Sequence, residues 1–406
     1  MSVAPARPDG PRAGSRLRVL HLDHTTARGG AEYALVRMLA ANPAWTPTVL
    51  LAPTDDRGNG VYDELPARVP VRVAGVRQPA GVSAGGALRQ ATALARLVAQ
   101  SLATRLQPAF RTADLVDANT ARAAAYGALA ARTSGVPFVV HLRDMTTPEA
   151  IGRAGYALMT REVLPRADGV IANSRATLES SRPFLRRDAR TAVIPSAAGL
   201  HPGSASTPTG DGPLTIGMLA RIDPWKGQGQ LLHAFARALG DSDARLVLPG
   251  DAPFGHEAYA RYLRALAADL GVADRVEFPG HVSDIAGTLA GWDVAVQASV
   301  RPEPLGQNVL QYLAAGRAVV VAGEGGPAEW VTDGVNGLVV APRDIDALAA
   351  ALGRLAVDDA LRARLAAGAA ATPGLLDDEA VAAAHAEFYA EVVAARAGTA
   401  STDAAD

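Results

Sequence analysis

Of the 39 basic residues in this 406-residue chain, one is a lysine, Lys226. Every other basic position is arginine, so this one marks a place where a compact ammonium and a planar guanidinium differ in use. Lys226 stands in Ala220-Arg221-Ile222-Asp223-Pro224-Trp225-Lys226-Gly227, between the apolar run 214–219 and a helical pattern. Two cations five positions apart, where a strand ends and a helix starts, form an anion site. The helix start adds unpaired N–H groups and a favourable dipole. Such a site neutralises a diphosphate without a metal. A surface loop with two solvated cations would read the same, so the weight rests on what accompanies it.

Two further pieces follow. The first is Arg301-Pro302-Glu303-Pro304-Leu305-Gly306-Gln307-Asn308, running into a helical stretch at 309–315. Glu303 comes shortly after the apolar run 294–297, and its carboxylate is placed to accept hydrogen bonds from sugar hydroxyls. Gln311, eight residues on, is two helical turns away and on the same face. A capped helix with an exposed glutamate is the plain alternative. The second piece, Gly323-Glu324-Gly325-Gly326-Pro327-Ala328-Glu329, has the relaxed dinucleotide spacing Gly-x-Gly-x-x-Ala. That fingerprint belongs to the first βα unit of a domain. Here it is late, so it implies only backbone close to a ligand, and nicotinamide binding is rejected.

The elements that must position these residues alternate. Apolar runs at 17–22, 48–52, 115–118, 137–141, 169–173 and 191–195 read as strands, with helices from about 31 and near 87–105, 121–133, 148–164 and 174–182. The stretch 199–213 is rich in Pro, Gly, Ser and Thr and reads as a linker. The pattern then restarts at 214–219, 245–248, 276–279, 294–297, 318–322 and 337–340. Continuous apolar strands alternating with helices imply parallel sheets covered on both faces. The expected organisation is a tail at 1–16, a Rossmann-like domain at 17–198, the linker, and a second Rossmann-like domain at 214–375. A helix at 376–396 packs back toward the first domain, and 397–406 is a disordered tail. Two such domains face each other across a cleft, a common place for a ligand.

Taken together, in this order and spacing, the three pieces resemble the retaining glycosyltransferases of family 4, which have the GT-B fold. Members carry an Arg and a Lys, then a Glu, seven residues and a second Glu. A Gly-Gly loop and an Asp-Gly-x-Asn-Gly strand entry follow, here Gly325-Gly326 and Asp333-Gly334-Val335-Asn336-Gly337. Gly29-Gly30-Ala31-Glu32 matches the family's first Gly-Gly loop. The resemblance runs from about 17 to 355. It implies that Arg221 and Lys226 bind the diphosphate of a nucleotide-sugar donor, UDP-linked sugars being favoured over GDP and ADP. It implies that Glu303 contacts the donor sugar, that the backbone of Leu305, Gly306 and Gln307 approaches sugar and phosphates, and that Gly30 lets the first loop approach. His141 would reach the reacting centre, and Gly280–Val282 would frame the base. Gln311 departs from the family: a Glu there typically holds the ribose hydroxyls, and Gln keeps one acceptor oxygen but loses the charge. Retention by front-face attack needs no protein nucleophile, so Lys226, Arg221, Glu303 and His141 form the expected catalytic set.

No metal or other cofactor is expected. Asp344-Ile345-Asp346 matches the Asp-x-Asp of metal-dependent enzymes but reads better as a helix N-cap. Gly81-Val82-Ser83-Ala84-Gly85 has nucleophile-elbow spacing without the strand that motif requires. Asp23, His24, Asn119, Arg143 and Asp144 end strands of the first half and line the expected acceptor side; His21 reads as structural. Nine arginines against six acidic residues between 143 and 190 read as a solvated face, or more sharply as an anionic acceptor site or weak membrane docking. The absence of cysteine excludes disulfides and thiol chemistry. The first residues lack a signal peptide's apolar core, and no run nears the ~18 apolar residues of a spanning helix. With a net charge of −2, nucleic acid is not an expected partner. The expected location is the cytoplasm or the inner face of its membrane. The acceptor is a glycan, a lipid-linked sugar or a small molecule. A nucleotide-sugar epimerase or hydrolase on the same fold, and a non-catalytic nucleotide-sugar binder, are the rival readings.

Overall fold

The structure is a computed structural model that describes residues 15–54, 58–77, 87–201, 212–252 and 255–402. The Gly81–Gly85 motif and most of the linker fall outside these residues. The chain forms two compact units, one of residues up to Ser196 and from Asp378 onward, the other Ala197–Asp377.

The first unit holds a parallel sheet of seven strands: β1 Arg18–Asp23, β2 Thr46–Leu51, β3 Val71–Val73, β4 Leu115–Ala118, β5 Phe138–Leu142, β6 Gly169–Ala172 and β7 Arg190–Val193. Their order is β3-β2-β1-β4-β5-β6-β7. β4, β5 and β6 are buried at every residue, as strands covered on both faces must be. β3 was not anticipated: three residues, partly exposed at the sheet edge, are too short to leave a pattern. The second unit has six strands: β8 Thr215–Gly217, β9 Arg245–Val247, β10 Val276–Glu277, β11 Val294–Gln297, β12 Ala318–Ala322 and β13 Leu338–Val340. Their order is β10-β9-β8-β11-β12-β13, again all parallel.

Helices begin where the sequence supplies caps. Thr120 accepts from Ala123 N at 3.4 Å and Ser174 from Thr177 N at 3.0 Å. Asp344 accepts from Ala347 N at 2.9 Å, so it caps the helix Ile345–Val357. The last helix, Asp378–Thr402, packs on the first sheet: a Cβ on Gly169 would lie 2.7 Å from Val392, and Tyr389 meets Trp45 edge-on at 5.2 Å. This helix runs on to Thr402, past 396, where a disordered tail was expected. The first unit also ends at Ser196, a few residues before the expected linker.

Candidate functional site

In the second sheet β8 and β11 are neighbours, and the chain departs from them toward opposite edges. Their carboxyl ends make the switch point at which open α/β sheets hold ligands. The loop after β8 carries Arg221 to Gly227; the loop after β11 carries Ala298 to Gly306. Two features clamp these loops together. Val300 N donates to Trp225 O at 2.8 Å. Gly227 has φ 87°, and a Cβ there would lie 1.9 Å from Ala298 O, so only glycine fits. The Gly-Gly loop after β12 closes on the same place: Gly326 N donates to Glu303 O at 2.8 Å.

The clamp brings Lys226 and Glu303 together as an ion pair, Nζ donating to Oε1. The other carboxylate oxygen accepts from Gln297 Nε2 and Ser299 Oγ, each at 2.9 Å. Burial pushes the Glu303 carboxyl up, but the Lys226 ammonium and these donors outweigh it and hold its pKa below the usual carboxylate value. Lys226 also lies 4.1 Å from the centre of the Trp225 ring, with the Arg301 guanidinium at 4.5 Å and that of Arg221 at 5.9 Å. Three cations thus surround one indole. Arg221 is half exposed and sits 3.6 Å from Asp223. Such a cluster attracts a polyanion, while the pinned carboxylate of Glu303 offers acceptors to hydroxyls.

The remaining residues expected here sit on the loops after β10 and β11 and on the helix Gln307–Ala314. Leu305 is buried, and Gly306 caps the helix Gln307–Ala314 in a left-handed conformation, φ 75°. Gln307 directs its side-chain amide to Ala197 O at 2.8 Å, leaving its backbone at the helix start. Gln311, one turn on, is half-buried. Gly280 takes φ 79° after β10, and Val282 beside it is half-buried.

In the first unit the switch point lies between β1 and β4. Asp23, at the end of β1, is buried and accepts from Tyr62 Oη at 2.6 Å, Asn119 Nδ2 at 2.7 Å and His24 N at 2.6 Å. Burial raises its pKa, and these bonds with His24 nearby more than reverse that. Arg143 donates to Asn119 Oδ1 at 2.9 Å, and His24 Nδ1 lies 2.8 Å from Thr120 Oγ1. Asp23, His24, Asn119 and Arg143 therefore form one bonded group, with Asp144 exposed next to it. Asp23 holds the group together from inside. Gly30 opens the helix Gly30–Ala40 there, and a Cβ on it would meet nothing within 4 Å. Glu32, in the same first turn, is buried, and desolvation together with the Asp23 charge raises its pKa to about 7.

His141 is not where its expected role would put it. Strand alternation turns it toward the last helix, where its ring packs 5.3 Å from His385. It is buried, and burial first, then Arg143 and neighbouring histidines, drive its pKa far down. The residue that leaves the strand beside Asn119 is Arg143. His21 bonds Asp117 at 2.9 Å and accepts from Trp45 Nε1 at 3.0 Å, a structural role. Three arginines of the arginine-rich stretch are paired: Arg166 with Glu162, Arg182 with Glu179, and Arg186 with Asp168 and Asp188. Among the described residues no group of three His, Cys, Asp or Glu could hold a metal ion.

Sequence reasoning missed Trp225, Gln297, Ser299, Arg301, Tyr62 and Glu32. Gln297 left a signal, as the one polar residue in the buried strand Val294–Gln297. Arg301 left another, because a third cation stands two residues before Glu303.

Two parallel-sheet units, with a cation cluster against a pinned carboxylate, define the class of protein. Residues 6–197 match the family described as glycosyl transferase 4-like domain, and 204–372 match glycosyl transferases group 1. The D-inositol 3-phosphate glycosyltransferase of Xylanimonas cellulosilytica is 31% identical over 66% of this chain and 70% of its own length. The protein of that name from Stackebrandtia nassauensis is 34% identical over 59% of this chain, and the match spans only 60% of that relative. Among solved structures, Anabaena HepE in complex with UDP and glucose superposes with a TM-score of 0.71 at 27% identity, covering 96% of this chain and all of that one. The chain belongs to the family 4-type glycosyltransferases of GT-B fold.

Proposed function

We propose that this protein transfers a sugar from a nucleotide diphosphate donor, UDP-linked, to an acceptor hydroxyl, with retention of configuration and without a metal. The observation that carries the reading is the Lys226–Glu303 pair at the switch point, ringed by Arg221 and Arg301. The UDP and glucose held by HepE support the donor assignment. In the proposed reaction the bond from the anomeric carbon to the donor phosphate breaks, and the acceptor oxygen bonds that carbon on the same face. The acceptor proton passes to the leaving diphosphate. Lys226 and Arg221 stabilise the charge that grows on the diphosphate, and Glu303 orients the sugar hydroxyls. Arg143, held by buried Asn119, faces the acceptor; a glycan, a lipid-linked sugar and a small polyol all fit that chemistry.

The test is turnover of UDP-sugars against an acceptor panel with EDTA present. The expected result is transfer that survives EDTA, keeps the anomeric configuration and falls about 100-fold or more in Lys226→Ala. Free sugar or an isomer as the only product would favour the hydrolase or epimerase instead. Gln311 in place of a family Glu favours a non-catalytic binder, and that reading stands if nucleotide binds and no donor turns over.

A further inference from the structure

The helix Ala87–Leu106 leaves an apolar face uncovered. Its inward face sets Leu97 against the core beside buried polar groups: Gln100 donates to Ala74 O at 3.0 Å and accepts from Val76 N at 2.9 Å, and Ser101 donates to Tyr126 O at 2.8 Å. Its outward face is apolar. Leu94, Val98, Leu102 and Leu106 are 61%, 45%, 57% and 62% exposed, and each is one helical turn from the next. A contiguous exposed apolar stripe of this kind marks an interaction surface. Charge identifies the partner. Residues 65–113, which contain this helix and β3, hold seven arginines and no aspartate or glutamate, in a chain whose net charge is −2. Arg96 on the helix and Arg72 on β3 are exposed, and Val73 beside Arg72 is 53% exposed. The segment following β3 is bonded to Gln100, so these side chains belong to one region of the unit.

We propose that the outward face of Ala87–Leu106 docks on an anionic lipid surface, its leucines entering the headgroup boundary and the surrounding arginines meeting lipid phosphates. Basic residues around an apolar helix face are the signature of in-plane interfacial binding. A second copy is a poor fit, because pairing two such faces would oppose like charges. No described helix is long and apolar enough to cross a membrane, so the contact is peripheral. This inference does not depend on the transferase reading.

Co-sedimentation of the full chain with phosphatidylglycerol–phosphatidylcholine vesicles tests it, with pure phosphatidylcholine vesicles as the control. The expected result is binding to the anionic vesicles alone, weakened by salt and reduced about tenfold in Val98→Gln/Leu102→Gln. Both positions are exposed, so the double variant should keep the wild-type melting temperature. A second variant, Arg72→Gln/Arg96→Gln, should weaken binding without touching the stripe. Equal binding to both vesicle types, or wild-type binding by both variants, would overturn the proposal. So would light scattering that shows a wild-type dimer turned monomeric by Val98→Gln/Leu102→Gln.

Discussion

Glu303 and Lys226 neutralise each other in a site where either charge alone would be costly. The lowered pKa of Glu303 has a definite sign in the stability curve. Its contribution is present above the ordinary carboxylate pKa and is lost as the pH falls through the depressed value. Glu32 runs the other way. Its pKa is raised to about 7, so the folded state holds a proton that the unfolded state has released, and the native form loses stability as pH climbs from the ordinary carboxylate value through 7. Glu32→Gln mimics the protonated form. It should stabilise the protein at pH 8 by about 1–3 kcal/mol and much less at pH 5, as read by urea denaturation at the two values. Equal effects at both pH values would remove the raised pKa from the account.

At the scale of elements, the site depends on loops held in contact by backbone as much as by side chains. Gly227 shows this: its left-handed φ and the 1.9 Å approach to Ala298 O leave no room for a side chain. Gly227→Ala should cost about 1–2 kcal/mol for the backbone alone, more with the clash, and should separate Lys226 from Glu303. The variant should melt lower and also lose nucleotide binding; unchanged binding would show that the clamp is dispensable. The same elements explain what could be read in advance. Buried parallel strands leave runs such as Phe138–Leu142 and Ala318–Ala322, which are visible without a structure. Lys226 and Glu303 were visible because each follows such a run. Gln297 and Ser299 were not assigned, since their donation to Glu303 depends on how the loop after β11 turns back. His141 was placed by its position at a strand end, whereas strand alternation decides which way it points. Residues 138, 140 and 142 share one face, so 141 lies under the last helix.

At the scale of the whole molecule, the chain divides its chemistry between two units. The second carries the cation cluster and the pinned carboxylate; the first carries the Asp23–Asn119–Arg143 group and the basic apolar helix face. The last helix returns to the first unit, with Arg37 and Asp378 paired at 2.8 Å. Net charge near zero therefore conceals a basic region, and composition alone could not reveal it. The central claim is that Lys226 anchors a nucleotide diphosphate, and thermal melting with UDP in the presence of EDTA tests it most directly. A ligand that binds only the folded state at about 100 times its Kd stabilises by about 2.7 kcal/mol, enough to move the melting temperature by several degrees. The account predicts that UDP raises the melting temperature of the wild type without metal, that uridine raises it far less, and that Lys226→Ala removes most of the shift. No shift with UDP, or a shift that Lys226→Ala leaves intact, would contradict it.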